Sequence, residues 1–264
     1  MDEVSRLQGH LLSLGRVVLG YSGGVDSALL AVAATRALPA GGFLAVIGRS
    51  ASYPEVQYRA ALELAQRFDI PVRELDTREL EDPRYLENPV NRCYYCKTEL
   101  WTRMTELARA CGFDTVIDGT HADDLTGHRP GRTAAIELGV RSPLAELGMT
   151  KAAIRGAAKH LGIPIWDAPA SPCLSSRVQY GLAITPERLR QVEAAEAYLR
   201  ALGVTGDLRV RHLGNRARIE VGPAEFGLVD EQWDGIVERL RTLGFEEVVR
   251  DARGYRSGSL LVIA

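Results

Sequence analysis

The run Ser22-Gly23-Gly24-Val25-Asp26-Ser27 follows the apolar stretch Arg16-Val17-Val18-Leu19-Gly20-Tyr21 and precedes Ala28-Leu29-Leu30-Ala31-Val32-Ala33-Ala34. That order reads as strand, glycine turn and helix. Such a turn aims backbone N–H groups, two hydroxyls and the positive end of a helix at one point, which suits an anion, phosphate above all. Gly23 and Gly24 let the backbone approach a ligand closely. Ser22 and Ser27 add hydroxyl donors. A carboxylate in a phosphate cradle, Asp26, calls for a divalent metal between the two anions. The run lacks the lysine of G-x-x-x-x-G-K-[ST], and G-x-G-x-x-G is absent. A serine-capped tight turn is the plain alternative, but six residues of this chemistry between a strand and a helix favour phosphate.

Strand patterns at 17–20, 43–47, 72–75 and 115–118 alternate with helical spacing of apolar residues. Ala61, Leu64, Ala65 and Phe68 form one such stripe, Leu100, Met104, Leu107 and Cys111 a second, and Ile154, Ala157, Ala158 and Leu161 a third. The alternation predicts an α/β fold with a parallel sheet covered by helices on both faces. Ligands in such sheets lie at the carboxyl ends of strands. Residues 20–27 sit at such an end, as does Gly119-Thr120-His121-Ala122-Asp123-Asp124. Pro169-Ala170-Ser171-Pro172 and Gly181 then read as a linker. Thr185-Pro186 predicts an N-cap with proline in the first helical turn, with Leu189, Val192, Ala195, Leu199 and Leu202 facing inward. Strands at 208–213 and 217–221, a helix at 232–243 and a strand at 246–250 follow, giving a small C-terminal α+β domain. The expected division is a nucleotide-binding domain at 1–168, a linker at 169–184 and the small domain at 185–264.

At 264 residues the chain can hold one large domain or a medium and a small one. The formal net charge of −2 advertises no broad nucleic-acid surface. The start, Met1-Asp2-Glu3-Val4, does not read as a signal peptide, and no apolar run approaches the ~20 residues of a membrane span. Four cysteines in a chain of this length are not a disulfide scaffold, so a cytoplasmic location is expected.

Cys93 and Cys96 form a C-x-x-C, Cys173 stands alone in the linker, and Cys111 continues an apolar helical stripe as a packing residue. A C-x-x-C alone is open to zinc, redox and iron–sulfur readings. Structural zinc wants four ligands and only three cysteines are spare; His121 or His128 would complete the set without knuckle spacing. Three thiolates around one site suit a 4Fe–4S cluster by softness and count.

S-G-G-x-D-S resembles the PP-loop of the ATP pyrophosphatase superfamily, whose members adenylate a substrate oxygen and then displace AMP. The resemblance narrows further. Residues 88–97 (N-P-V-N-R-C-Y-Y-C-K), 118–124 (D-G-T-H-A-D-D), 129–131 (R-P-G), 139–144 (G-V-R-S-P-L), 172–177 (P-C-L-S-S-R) and 254–260 (G-Y-R-S-G-S-L) look like the LarE family. The resemblance implies an ATP-dependent sulfurtransferase of nickel-pincer cofactor biosynthesis, which converts the carboxylates of pyridinium-3,5-biscarboxylic acid mononucleotide to thiocarboxylates. It implies Cys173 as the sulfur-bearing position. Cys173 would either give up its own sulfur or join Cys93 and Cys96 around a 4Fe–4S cluster carrying an extra sulfide. It implies homo-oligomers and names no sulfur donor. The family pattern has asparagine where His121 stands and aspartate where Gly127 stands.

On this reading Ser22, Gly23, Gly24 and Ser27 bind the phosphates of ATP, Asp26 holds Mg²⁺, and Gly119 and Asp123 line the nucleotide. The substrate's phosphate and carboxylates need cations. Arg209 and Arg211 alternate with Val210 and share a strand face. Arg177 lies four residues past Cys173, and Arg256 stands beside Ser257 and Ser259. A solvated surface arginine is the plain alternative for each. Glu193 and Glu220 are candidate second-metal ligands, although such glutamates are usually solvated, and Trp101 is read as core. A tRNA-directed PP-loop sulfurtransferase, an ammonia-using synthetase and a non-catalytic nucleotide or cluster carrier are the competing readings.

Overall fold

The structure is a computed structural model that describes residues 2–126, 129–169, 171–256 and 258–260. Gly127, His128, Ala170 and Ser257, named above, lie outside the described residues. In chain order the elements begin with α1 (Glu3–Ser13), β1 (Val17–Gly20), α2 (Val25–Ala37), β2 (Phe43–Arg49), α3 (Glu55–Arg67), β3 (Val72–Asp76) and α4 (Pro83–Leu86). Next come α5 (Arg92–Ala110), β4 (Thr115–Ile117), α6 (Pro130–Glu137), α7 (Pro143–Glu146) and α8 (Lys151–His160). The chain continues through α9 (Pro186–Ala201), β5 (Leu208–Leu213), β6 (Arg216–Val221), α10 (Phe226–Glu231), α11 (Trp233–Thr242) and β7 (Glu247–Arg250). It divides into two compact units, one of residues 1–79 and 91–171, the other of 80–90 and 172–264.

The first unit is built on a four-stranded sheet in the order β3-β2-β1-β4, with β1 parallel to β2 and β4 and β2 parallel to β3. The strand period of two sends alternate side chains to opposite faces. Val17, Leu19, Ala45 and Ile47 join one core with α1, α2 and α8. Val18 and Val46 join another with Trp101 and Met104 of α5 and Ala134 of α6. The chain runs β1 to β2 to β3 outward on one side, then returns to place β4 on the other side of β1. The loops after β1 and β4 therefore meet at a topological switch point, where open α/β sheets bind ligands. β4 ends one residue earlier than the pattern predicts. Asp118 turns away because its carboxylate accepts from Thr120 N at 3.0 Å, Thr120 Oγ1 at 2.7 Å and Ser142 Oγ at 2.8 Å.

In the second unit β5 and β6 pair antiparallel and β6 and β7 parallel. Thr185 caps α9 by accepting from Arg188 N at 3.2 Å, and Leu189, Val192, Ala195 and Leu199 are buried as predicted, while Leu202 is only half-buried. The helix expected at 232–243 is α11, and the short α10 before it was not expected. Residues 172–184, read as linker, fold into this unit, with a 3₁₀ turn at Leu174–Arg177 and Leu174, Ser175, Arg177 and Val178 buried. Two contacts tie them to the 80–90 segment. Tyr85 and Ser175 share a hydroxyl hydrogen bond at 2.5 Å, and Asn88 Nδ2 donates to Gln179 O at 2.8 Å and Leu182 O at 3.0 Å.

Candidate functional site

At the end of β1 the chain makes the expected turn into α2. Gly24 is the N-cap of that helix, and no side chain caps its first turn. The first N–H groups of a 13-residue helix therefore face the turn without an internal partner. Ser22 Oγ and Ser27 Oγ lie 3.2 Å apart, and Ser27 Oγ donates to Gly24 O at 3.0 Å. Tyr53 Oη and Gln57 Nε2 both donate to Ser22 O, at 2.9 and 2.8 Å, and fix the loop from outside. Gly23 has φ of +69°, and a Cβ there would lie 2.6 Å from Ala61 Cβ, so glycine is required twice over.

The β4 loop closes on this turn. A Cβ on Gly119 would sit 3.3 Å from both Asp26 Cβ and Ser27 N. Asp123 Oδ2 accepts the Lys151 backbone N–H at 2.7 Å, and Lys151 Nζ reaches Asp26 Oδ1 at 2.6 Å and Oδ2 at 2.7 Å. The loop after β1, Gly119, Asp123 and Lys151 are thus one site. Lys151 escaped the sequence reading. Its signal was chemical: a lysine directly after the Thr150 N-cap stands at the helix end that disfavours cations, so it needs an acidic partner. Asp26 presents hard oxygens beside hydroxyls and already faces a cation. Mg²⁺ takes one or two carboxylates and completes its shell with phosphate and water, so these residues fit it. His121 is buried, with Nε2 3.2 Å from Asp124 Oδ2 and no hydrogen-bond partner at Nδ1.

Cys93 and Cys96 lie in the first turn of α5, three apart and so on one helix face, with Cys93 exposed and Cys96 half-buried. Cys111 is not the core residue expected. It ends α5, half-buried, with Arg73 Nη1 3.6 Å from its sulfur. Trp101 is core as predicted. Among the described residues, no group of three or more His, Cys, Asp or Glu side chains could hold a metal ion. Cys93 and Cys96 belong to the first unit and Cys173 to the second.

The second unit holds Cys173 and the arginines. Arg177, Arg209 and Arg211 are buried, which removes the solvated-surface alternative. Arg177 pairs Nε and Nη2 with the two oxygens of Glu196 at 3.0 and 3.1 Å. Its Nη1 donates to the carbonyls of Pro172 and Cys173, the latter at 3.0 Å. Glu196 also accepts from Val210 N at 3.0 Å, which joins this pair to β5. Arg211 Nε meets Glu220 Oε2 at 2.9 Å, and its Nη1 donates to Ser176 O at 3.0 Å. Arg209 lies over the Tyr255 ring at 5.2 Å, and burial, reinforced by Arg177, lowers its pKa.

Glu220 is not solvated, against expectation. It is fully buried and accepts from Arg211, from Arg218 at 2.8 Å, and from Ser259 Oγ at 2.8 and 3.0 Å. Glu193 is half-buried on α9. Arg256 is one-third exposed and lies 3.2 Å from Asp251. Arg177 pairs with Glu196, Arg211 and Arg218 with Glu220, and Arg218 and Arg256 with Asp251. Guanidinium forks gathered in this way suit a bound anion. Glu196 and Arg218 were missed from sequence, having no motif around them.

A parallel sheet with a serine–glycine anion cradle at its switch point, joined by an aspartate on the neighbouring loop, defines a nucleotide-binding domain of the PP-loop class. The NAD synthase family model matches residues 10–84, which span the cradle. A pyridinium-3,5-bisthiocarboxylic acid mononucleotide synthase of Lactiplantibacillus plantarum is 34% identical over 254 residues, covering 96% of this chain and 92% of that protein. The chain belongs to the family of that synthase, the LarE family. An uncharacterized Synechocystis protein, slr1717, is 43% identical over 98% of this chain and 97% of its own length. An uncharacterized Methanocaldococcus jannaschii protein, MJ0830, is 29% identical over 92% of this chain and 91% of its own. Among the described residues, no helix is long and apolar enough to cross a membrane.

Proposed function

We propose that this chain uses ATP to activate the carboxylates of pyridinium-3,5-biscarboxylic acid mononucleotide and replaces carboxylate oxygen with sulfur. The likeness to the Lactiplantibacillus synthase over 92% of that protein's length carries the reading. The anion cradle at Ser22–Ser27 supports its ATP half, and the arginine cluster around Cys173 supports its substrate half.

A carboxylate carbon is a poor electrophile and its oxygen a poor leaving group. One carboxylate oxygen attacks the α-phosphorus of ATP, and pyrophosphate departs with the bonding electron pair. The sulfur nucleophile then attacks the acyl carbon and AMP leaves. The N-terminus of α2 and the hydroxyls of Ser22 and Ser27 bind the phosphates and stabilise charge growing on the leaving pyrophosphate. Asp26 and Asp123 would hold Mg²⁺, which supplies Lewis-acid polarisation of the phosphates when bound. Gly119 keeps the wall of the site open. Arg209, Arg211 and Arg256 hold the substrate's phosphate and second carboxylate. Arg177, engaged by Glu196 and two carbonyls, holds the Cys173 peptide in place.

Sulfur is delivered at Cys173 in this reading. A 4Fe–4S cluster on Cys93, Cys96 and Cys173 is the proposed carrier, supported by thiolate softness and ligand count. Iron content and visible absorbance of anaerobically purified protein test the carrier, with Cys93→Ala expected to lose both; colourless protein holding zinc would remove it.

ATP–pyrophosphate exchange tests the function. Exchange should require Mg²⁺ and the pyridinium dicarboxylate mononucleotide, and Asp26→Asn should abolish it. Exchange that proceeds equally well without the pyridinium compound would overturn the assignment.

A further inference from the structure

We propose that Lys151 is the resident countercation of Asp26 when nucleotide is absent, and that it passes to the phosphate chain when a divalent metal takes the carboxylate. The inference rests on the ATP site of the proposed function and not on the sulfur chemistry.

Residues 21–27 contain no lysine or arginine, so the cradle itself supplies no mobile cation. Lys151 reaches it from α8, 125 positions along the chain from Asp26. The ammonium contacts both carboxylate oxygens, at 2.6 and 2.7 Å. A metal needs one of those oxygens at about 2.0–2.1 Å. Ammonium and metal would then crowd each other as like charges at one carboxylate, so they compete.

The lysine is built to move. Its backbone is fixed as the first residue of α8 by the hydrogen bond to Asp123, while its side chain is 36% exposed. A flexible four-carbon stem carrying a compact ammonium can pivot about that fixed point. Asp26 stands in the first turn of α2, where backbone N–H groups already favour anions. Phosphate entering beside Asp26 adds negative charge within reach of the same stem. The exchange leaves both anions paired, Asp26 with metal and phosphate with ammonium, and it couples metal arrival to phosphate capture.

Two probes test this without the pyridinium substrate: Mn²⁺ alone, followed by its paramagnetic signal, and inorganic pyrophosphate, followed by calorimetry in Mg²⁺ buffer. Lys151→Met should bind Mn²⁺ about 2- to 5-fold more tightly, the scale of a half-exposed ion pair. The same variant should bind pyrophosphate about 10- to 100-fold more weakly, the scale of a charge-assisted hydrogen bond. Unchanged or weaker Mn²⁺ binding, or unchanged pyrophosphate binding, overturns the proposal. Asp26→Asn gives an independent arm should the methionine variant fail to fold. With EDTA present, its freed Lys151 should hold pyrophosphate more tightly than wild type, and weaker binding would overturn the handover. Loss of sulfur transfer with both probe responses intact would sink the proposed function and leave Lys151's role standing.

Discussion

Arg211 reaches Glu220 diagonally across the antiparallel β5–β6 pair, Nε to Oε2 at 2.9 Å, with both side chains buried. Glu220 also receives Arg218 and Ser259, so its charge is compensated from three sides. Removing one partner of a buried pair leaves an uncompensated charge, costing about 3–5 kcal/mol. Glu220→Ala should lower unfolding free energy by that amount in urea titrations. A loss below about 1 kcal/mol, the scale of an exposed pair, would show that the arginines do not depend on it.

A Cβ at Gly119 would already be tight, 3.3 Å from both Asp26 Cβ and Ser27 N. In Gly119→Val the branched side chain would press on Asp26 and Ser27 N, displacing the cradle rather than the fold. Misplacement of about 1 Å at a reacting centre costs on the order of 100-fold in rate. ATP–pyrophosphate exchange should fall by about that factor while circular dichroism stays native. Near-normal exchange would place the nucleotide away from this wall.

His212 gives a pH dependence of stability. Its Nε2 lies 2.8 Å from Gln191 Oε1, and it must donate there, because Gln191 Nε2 is engaged by Leu243 O at 2.8 Å. Burial, aided by Arg188, lowers its pKa from 6.5 to about 4. Between those values the unfolded chain binds the proton and the folded chain does not. Stability from His212 is therefore present above about pH 6.5 and lost as pH falls toward 4, by up to about 3 kcal/mol. Urea titrations from pH 7.5 down to 4.5 should show a shallower fall for His212→Gln than for wild type. Equal slopes would mean the imidazole titrates normally.

Arg177 acts on Cys173 through backbone carbonyls. Arg177→Lys keeps the charge but loses the planar fork that serves Glu196 and both carbonyls together. The peptide around Cys173 should loosen, and the rate of Cys173 alkylation by iodoacetamide should rise. An unchanged rate in a folded variant would free Arg177 from this role and return it to direct substrate contact.

The first unit was legible because its signals are local. Periodicity placed β1 to β4, and the glycine turn between β1 and α2 was written in six consecutive residues. What the sequence hid was long-range pairing. Nothing near Lys151 names Asp26, and nothing near Glu196 names Arg177. Burial of charge was hidden for the same reason: Glu220 sits in an alternating strand like any surface glutamate, and only the partners delivered by Arg211, Arg218 and Ser259 let it be interior. Composition could not show that residues 80–90 return to meet 172–184, because Asn88's amide makes that junction one hydrogen bond at a time.

The most direct measurement is mass spectrometry of the pyridinium nucleotide after incubation with Mg²⁺, ATP and sulfur-loaded protein. The expected result is replacement of carboxylate oxygen by sulfur, with AMP and pyrophosphate released and no product from Asp26→Asn. An unmodified dicarboxylate, or an amide formed when ammonia is supplied, would contradict it.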